Sequence, residues 1–324
     1  MLQRTSRLCR SFAFCALLTA MPPAQAQDAV SLRARHAALR EQLAHNPFGR
    51  PIHLASTENP GDVRGDVYAL IEQPYVVVGA ALRSVDNWCD VLILHQNVKG
   101  CRSSGAVGAD TLRLRIGRKY DQPLADAHEI DFLFRVNTAA PDFLRVQLNA
   151  DEGPFGTHHY RVELEVADLD GQRSFLHLSY AYAYGTPARI AMSAYLATIG
   201  RNKVGFSIVG SRADGAPVYI GGMRGIAERN TMRYYLAIDS YLGALSLPAR
   251  QQLAKRLNDW HAGVERYPRQ LHELDRDEYI EMKRREILRQ QGPGAEAMAS
   301  TTSVTGHRFT DPLQPVPRTV QTPR

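Results

Sequence analysis

The most regular pattern in the chain is an alternation of apolar and polar residues between positions 112 and 184. Five successive segments carry apolar side chains at every second position: 112–119, 130–136, 143–149, 159–167 and 174–184. A period of two residues is typical of a β-strand with one buried face. The pattern predicts an antiparallel sheet with one dry face and one wet face, turning at 139–142 and 168–171.

The polar positions of these segments carry both arginines and acids. Opposite charges on neighbouring antiparallel strands form cross-strand pairs. We therefore interpret the wet face as a solvated surface and not as a site.

Helical patterns lie on both sides of the predicted sheet. Before it, residues 28–45 predict an amphipathic helix with Leu32, Leu39 and Leu43 on one face. Residues 46–65 hold three Pro and three Gly and predict an irregular connector. A strand over 65–73 and two short helices follow, the second capped by Asp86.

Beyond the sheet, the long helix over 228–245 carries a broad apolar stripe. A helix over 187–199 and a hairpin around Asp214-Gly215 are predicted before it, and helices over 248–260 and 275–290 after it. The last 34 residues are rich in Pro, Ser and Thr and predict disorder. The predicted organisation is 1–26 signal peptide, 27–63 N-terminal helix and connector, 64–245 central α+β domain, 246–290 additional helices and 291–324 disordered tail.

The N-terminus has the features of a secretory signal. Arg4, Arg7 and Arg10 precede a short apolar run over 12–20, and a small-x-small pattern ends at Ala26. We expect cleavage near Ala26 and a periplasmic location. An uncleaved N-terminal anchor is the alternative.

Removal of the signal changes the charge and the cysteine count. The formal charge of +6 loses three arginines and becomes about +3, and no dense basic block interleaves with aromatics. Nucleic acid is therefore not an expected partner, whereas transient contact with an anionic membrane surface stays open.

Of the four cysteines, Cys89 and Cys101 remain after removal of the signal, and an oxidising compartment favours a disulfide between them. Two buried thiols are the alternative, and their spacing does not suit a metal site.

The order of elements resembles the helix-grip fold of the START-like lipid-transfer and polyketide-cyclase superfamily. A strand, two short helices including Trp88, a run of antiparallel strands and a long helix follow one another over about 64–245. Four phrases also resemble a family of exported proteobacterial proteins: NPFGRP at 46–51, WCDVLIL at 88–94, KYDQPL at 119–124 and ERNTMRYYL at 228–236. The superfamily resemblance implies an α+β fold in which an antiparallel sheet grips the long C-terminal helix around an apolar cavity, with extra N- and C-terminal helices.

Side chains on the dry face and on the helix stripe are the candidate cavity residues. They are Phe132, Phe134, Val146, Tyr160, Val162, Leu178, Tyr180, Tyr182, Met232, Tyr235 and Ile238. Arg229 and Arg233 lie four residues apart and share a helix face, so they could hold an anionic head group. Pairing with acids on the sheet rim is the alternative, and Lys119-Tyr120-Asp121 could close the same mouth.

Other motifs give weaker signals. His158 and His159 are adjacent in a strand and would point to opposite faces, so we expect no shared metal ion. The glycines at 221, 222 and 225 could cradle an anion or simply form a flexible entry turn. No G-x-S-x-G elbow or triad spacing occurs, and no cofactor is implied.

These observations leave three functions open. The leading hypothesis is a periplasmic binding or carrier protein for an apolar or amphipathic ligand, such as a lipid. The second is an enzyme that uses the same cavity, a cyclase or hydrolase, and it requires a buried acid or base with a shifted pKa. The third is an envelope-assembly partner that acts through the extra helices and tail.

Overall fold

The computed structural model describes residues 24–106, 109–186, 189, 190, 192, 198 and 202–290. The helices are α1 (Ala24–Ala38), α2 (Arg40–Ala44), α3 (Tyr75–Leu82), α4 (Val85–Leu92), α5 (Gly222–Ala244), α6 (Ala249–Glu265), α7 (Pro268–Leu271) and α8 (Arg276–Gln290). The strands are β1 (Ile52–Asn59), β2 (Asp62–Ile71), β3 (Val98–Ala106), β4 (Ala109–Ile116), β5 (His128–Ala140), β6 (Phe143–Glu152), β7 (Thr157–Asp168), β8 (Ser174–Tyr184), β9 (Ile208–Ser211) and β10 (Pro217–Tyr219). Short 3-10 turns lie at Leu124–Asp126 and Pro154–Gly156.

Eight of the described strands form one antiparallel sheet in the order β1-β2-β8-β7-β6-β5-β4-β3. The five alternating segments of the sequence are β4 to β8, so the predicted antiparallel sheet and its two hairpin turns are confirmed. The α+β helix-grip architecture is confirmed as well, because β2 pairs with β8 and α5 lies on the inner face of the sheet.

The long helix α5 packs tightly against only part of the sheet. At Gly65 of β2, an added Cβ atom would lie 2.3 Å from the Thr231 hydroxyl oxygen and 3.1 Å from the Ala227 carbonyl oxygen. Only a residue without a side chain permits this approach between strand and helix. The helix is therefore held closely against β1 and β2.

The connector predicted over 46–65 is wrong in its central part, where β1 runs from Ile52 to Asn59. Its glycines and prolines serve other purposes than a loop. Pro60 and Gly61 form the tight turn to β2, with Gly61 at φ +81°, and Gly65 makes the close approach to α5. The alternating burial of β1 was hidden by these turn-forming residues.

Two further details differ from the sequence expectation. Strand β3 was not predicted, because its sequence VKGCRSSGA has few apolar residues and its order comes from pairing with β4. The N-cap position of α4 is Ser84 and not Asp86, which the sequence had suggested. Asp86 lies inside that turn and accepts a hydrogen bond from the Ser103 hydroxyl at 2.5 Å.

The alternation predicted a solvated outer face, but part of the outer face of the sheet is covered. Helix α1 crosses one end of it and buries Ala29 and Leu32 against Phe143 and Phe175. Arg33 of α1 also pairs with Asp142 at 2.6 Å. The sheet is therefore covered on both faces where α1 lies, and its outer polar residues there are removed from water.

A buried charge network occupies this covered surface. The His177 ring lies between two carboxylates, with Nε2 2.8 Å from Asp66 and Nδ1 2.9 Å from Glu165. Burial opposes the charged ring, but these two hydrogen bonds outweigh it and raise the pKa of His177. Arg64 and Arg145 complete the network by pairing with Asp66 and Glu165. Cross-strand pairing of opposite charge, predicted from the sequence, is thus confirmed here.

The C-terminal helices attach to the domain through a second buried ionic group. Glu286 of α8 accepts hydrogen bonds from Lys99 at 2.8 Å and from Lys283 at 2.7 Å. Lys283 also donates to the carbonyl oxygens of His95 and Val98, each at 2.8 Å. These contacts fix α8 against the turn between α4 and β3.

Some predictions fall on residues outside this description. Residues 1–23 of the signal peptide predicted over 1–26, most of the helix predicted over 187–199 and the tail over 291–324 lie outside the described residues. The export signal and the disordered tail stay predictions. Within the described ranges, no helix combines the length and the hydropathy that a bilayer crossing requires.

Candidate functional site

A cavity of about 520 Å³ opens between the inner face of the sheet and the first half of α5. Its walls come from the turn after α4, the end of β4, the 3-10 turn before β7, strand β8 and helix α5. The lining residues are His95, Asn97, Ile116, Gly117, Arg118, Lys119, Pro154, Phe155, Thr157, Tyr160, Tyr180, Tyr182, Tyr184, Met192, Met223, Asn230 and Tyr234. The volume lies within the range of small-molecule sites, about 300–1,000 Å³.

A smaller apolar chamber of about 60 Å³ continues this cavity into the core. Trp88, Val91 and Leu92 of α4 form one wall of the chamber. The two spaces share five lining residues: Ile116, Pro154, Tyr160, Tyr180 and Tyr234. The site is therefore a funnel with a polar and aromatic mouth and a narrow apolar end.

Seven of the eleven candidate cavity residues lie in the walls of the funnel. They are Phe132, Tyr160, Val162, Leu178, Tyr180, Tyr182 and Ile238. The other four are not among its lining residues. Phe134 packs against Trp88, Val146 and Met232 are fully buried, and Tyr235 faces Arg50 on another side of α5. A stripe along a helix predicts burial, but it does not say which buried face leaves space beside it.

Tyrosines form most of the aromatic wall. Tyr160 stacks on Tyr182 with ring centres 5.4 Å apart, and Tyr180 contacts Tyr234 at 5.3 Å. Burial raises the pKa of each of these phenols, so they stay neutral. Each ring offers an apolar body and a hydroxyl tip to a bound molecule.

A β-bulge brings Tyr160 into this wall. The pairing of β7 with β8 shifts between His158 and Arg161, and His159 has φ +51°. The bulge places Tyr160 and Val162 on the inner face. It also breaks the alternation that we assumed for His158 and His159, whose rings lie 4.8 Å apart and edge to face. No group of three or more metal-ligating side chains occurs in the described part of the chain.

The two arginines predicted to bind a head group do not line the funnel. Helix α5 begins at Gly222, so Arg229 and Arg233 lie beyond its first turn and are buried. Arg233 pairs with Glu273 in the segment between α7 and α8, at 3.1 Å. Arg233 thus follows the alternative to head-group binding, an ion pair with an acid. The acid lies among the additional C-terminal helices and not on the rim of the sheet. Gly221 and Gly222 form the entry turn of the helix, with Gly222 at φ +64°.

Arg118 and Lys119 both line the mouth of the funnel, and an ion pair holds Lys119 there. Its ammonium group lies 2.5 Å from Glu273, which also accepts Lys203 at 3.0 Å and Arg233 at 3.1 Å. Burial lowers the pKa of Lys119 to about 8, although Glu273 opposes the shift. Three cations thus share one carboxylate beside the cavity, and the site has excess positive charge.

His95 is a lining residue that the sequence did not reveal. It lies in the turn between α4 and β3, and its ring stacks on Tyr234 with centres 4.7 Å apart. Burial first, and then Arg233, Lys283, Lys119 and Lys99, lower the pKa of His95 well below its ordinary value. A single histidine in an apolar segment carries no pattern that could have identified this environment.

The predicted disulfide is confirmed. Cys89 of α4 bonds to Cys101 of β3, with Cα atoms 5.2 Å apart. The link ties the helix that carries Trp88 to the edge of the sheet. It therefore supports the closed end of the funnel and takes no part in the mouth.

The strand order and the placement of α5 define a helix-grip fold. Solved structures to which the chain is similar include norcoclaurine synthase from Thalictrum flavum, at 13% identity over 46% of this chain and 86% of that one, with a TM-score of 0.30. The Zhui aromatase/cyclase from Streptomyces sp. R1128 is 12% identical over 63% of this chain and 94% of that one, with a TM-score of 0.29. Human STARD10 is 8% identical over 52% and 76%, with a TM-score of 0.31.

These scores are low, and the fold assignment rests on the topology of this chain itself. No protein-family model matches the sequence. No curated protein matches it either. The resemblance to exported proteobacterial proteins stays a prediction.

Proposed function

We propose that this chain is a binding or carrier protein for an apolar or amphipathic small molecule, and that it acts in the periplasm after export. The observation that carries the proposal is the funnel between the sheet and α5, with a mouth of about 520 Å³ and an apolar end of about 60 Å³. A well-packed core leaves few voids of this size. A ligand of matching shape would replace this empty space.

The composition of the walls favours a ligand with an apolar body. Burial of apolar ligand surface contributes about 2.5 kcal/mol for each ~100 Å² removed from water. The tyrosine rings, Ile116 and Met223 supply such surface, and the phenol and amide groups orient the polar part. A lipid with a single acyl chain and a small aromatic compound both fit this description.

The test uses the fluorescent probe phenylnaphthylamine, which is neutral and apolar. We expect saturable binding of one probe per chain. Met223→Trp places a large ring in the mouth and should weaken binding at least tenfold. Leu253→Trp adds the same ring on the surface of α6, where Leu253 is 37% exposed, and should leave binding unchanged. Absence of saturable binding, or equal binding by the Met223→Trp chain, would contradict the proposal.

A catalytic role in the same cavity is the second candidate, and Lys119 is the observation that favours it. An amine with a pKa of about 8 can exchange protons near neutral pH, and His95 lines the same space. The ligand that co-purifies with the wild-type chain would then be a product. Ligands recovered from wild-type and Lys119→Met chains made in the same cells should differ in mass for an enzyme and agree for a carrier.

A further inference from the structure

The His95 imidazole is a buried polar group with one nitrogen unused by the protein. The residue is 3% exposed and lines the mouth of the funnel. Its Nδ1 accepts a hydrogen bond from the backbone N–H of Asn97 at 3.1 Å. Its Nε2 is buried and has no hydrogen-bond partner among the described residues.

The tautomer follows from these contacts. Because Nδ1 accepts a hydrogen bond, the proton of the neutral ring lies on Nε2. The surrounding burial and cations keep the ring neutral, so Nε2–H is a donor at physiological pH. Buried donors in folded proteins are nearly always satisfied, and an exception calls for an absent partner. The partner of Nε2–H must be a hydrogen-bond acceptor.

The charge of the surroundings narrows the kind of acceptor. Lys119, Lys203 and Arg233 share the single carboxylate of Glu273 next to the mouth. The described lining residues include Arg118 and Lys119 but no Asp or Glu. A negative group would be stabilised by this excess of positive charge, and a second cation would be repelled.

We propose that His95 Nε2–H donates a hydrogen bond to a singly charged oxyanion on the ligand, and that Lys119 supplies the opposing charge. The ligand class is an apolar or aromatic acid whose body contacts the tyrosine wall. This inference rests on the proposed function, since it names the class of molecule that the same cavity selects. It assigns to His95 and Lys119 the head-group role that the sequence had suggested for Arg229 and Arg233.

The test compares two probes with the same aromatic body. Anilinonaphthalene sulfonate carries an oxyanion, and phenylnaphthylamine does not. We expect the wild-type chain to bind the sulfonate more tightly. Two substitutions separate the two ring nitrogens. His95→Asn can keep the acceptor for the Asn97 N–H but removes the donor at Nε2, whereas His95→Gln can place an amide donor near the Nε2 position.

His95→Asn should weaken sulfonate binding about ten- to a hundredfold, the usual effect of losing a hydrogen bond to a charged group, and should leave the neutral probe unaffected. His95→Gln should retain most of the sulfonate affinity. Lys119→Gln should weaken sulfonate binding alone. Unchanged binding of the neutral probe shows that each variant is folded.

The outcomes separate this inference from the proposed function. If the neutral probe does not bind, the apolar cavity site itself is wrong. The oxyanion assignment is overturned if the sulfonate binds no more tightly than the neutral probe. It is also overturned if His95→Asn and His95→Gln weaken the binding of both probes equally. In either case the cavity proposal survives.

Discussion

Two buried histidines on opposite sides of the sheet differ in what surrounds them. His177 on the outer face is 5% exposed and His95 beside the cavity is 3% exposed, so their burial is alike. Each ring also stacks on a tyrosine, His177 on Tyr68 at 4.3 Å and His95 on Tyr234 at 4.7 Å. Their pKa values nevertheless shift in opposite directions, because His177 lies between carboxylates and His95 lies among cations.

The contrast distinguishes a structural group from a candidate binding group. Both nitrogens of His177 have protein partners, Glu165 and Asp66. His95 has one nitrogen satisfied by Asn97 and the other directed to no described partner. Burial alone therefore does not indicate function. An unsatisfied donor on a residue that lines a cavity marks a candidate binding group.

The largest expected effect is on the outer face. His177→Ala leaves Asp66 and Glu165 buried and charged without their shared cation, and should lower the free energy of unfolding by about 3 kcal/mol or more. Urea unfolding at pH 6 measures this change. His45→Ala, at a position whose side chain is 82% exposed, should change it by less than about 0.5 kcal/mol. A similar small effect for both variants would contradict the buried network.

The Cys89–Cys101 disulfide should contribute somewhat less to the free energy of unfolding than His177 does. Loss of the bond by Cys89→Ala and Cys101→Ala together should reduce the free energy of unfolding by about 2–4 kcal/mol, because the unfolded chain gains freedom. Dithiothreitol should destabilise the wild-type chain and leave the double variant unchanged. Sensitivity of the double variant to the reductant would show that the assignment is incorrect.

The side of α5 that packs on β2 provides a comparison with the side that faces the cavity. Gly65→Ala forces a Cβ atom against Thr231 and the α5 backbone, and should destabilise the chain by about 1–3 kcal/mol. Gly210→Ala meets nothing within 4 Å and serves as the control. Thermal unfolding of both variants measures the difference. Equal melting temperatures would mean that α5 is not gripped at Gly65.

The smallest effect is the pH dependence of the outer network. The pKa of His177 is raised above 6.5, so its contribution to stability is complete below that pH and is lost as pH rises through the folded-state value. The pKa values of Asp66 and Glu165 are lowered, so their contributions are complete above about 4.5 and are lost in acid. The network should therefore be most stabilising between about pH 4.5 and 6.5.

Free energies of unfolding measured through this pH range and above it test the sign of the predicted pH dependence. Those of the wild-type chain should decline above pH 6.5 more steeply than those of His177→Gln. Parallel profiles for the two chains would exclude His177 as the source of the decline.

The alternation along β4 to β8 predicted the sheet because each strand has one face in the core, and that rule depends only on neighbouring residues. The same rule missed β3, whose order depends on β4, and misjudged the outer face, because α1 covers it from far away in the sequence. Helix periodicity placed Ile238 correctly beside the funnel but also selected Tyr235, which faces Arg50. The environment of His95 arises from α5, α8 and the turn after α4, so no local pattern could reveal it.

The most direct test of the binding site is a crystal structure of the chain with bound anilinonaphthalene sulfonate. We expect the aromatic rings to lie against the wall formed by Tyr180 and Tyr234, and a sulfonate oxygen to lie within about 3 Å of His95 Nε2, the distance of a hydrogen bond. A probe bound only on the outer surface, with the funnel filled by rearranged side chains, would contradict the account.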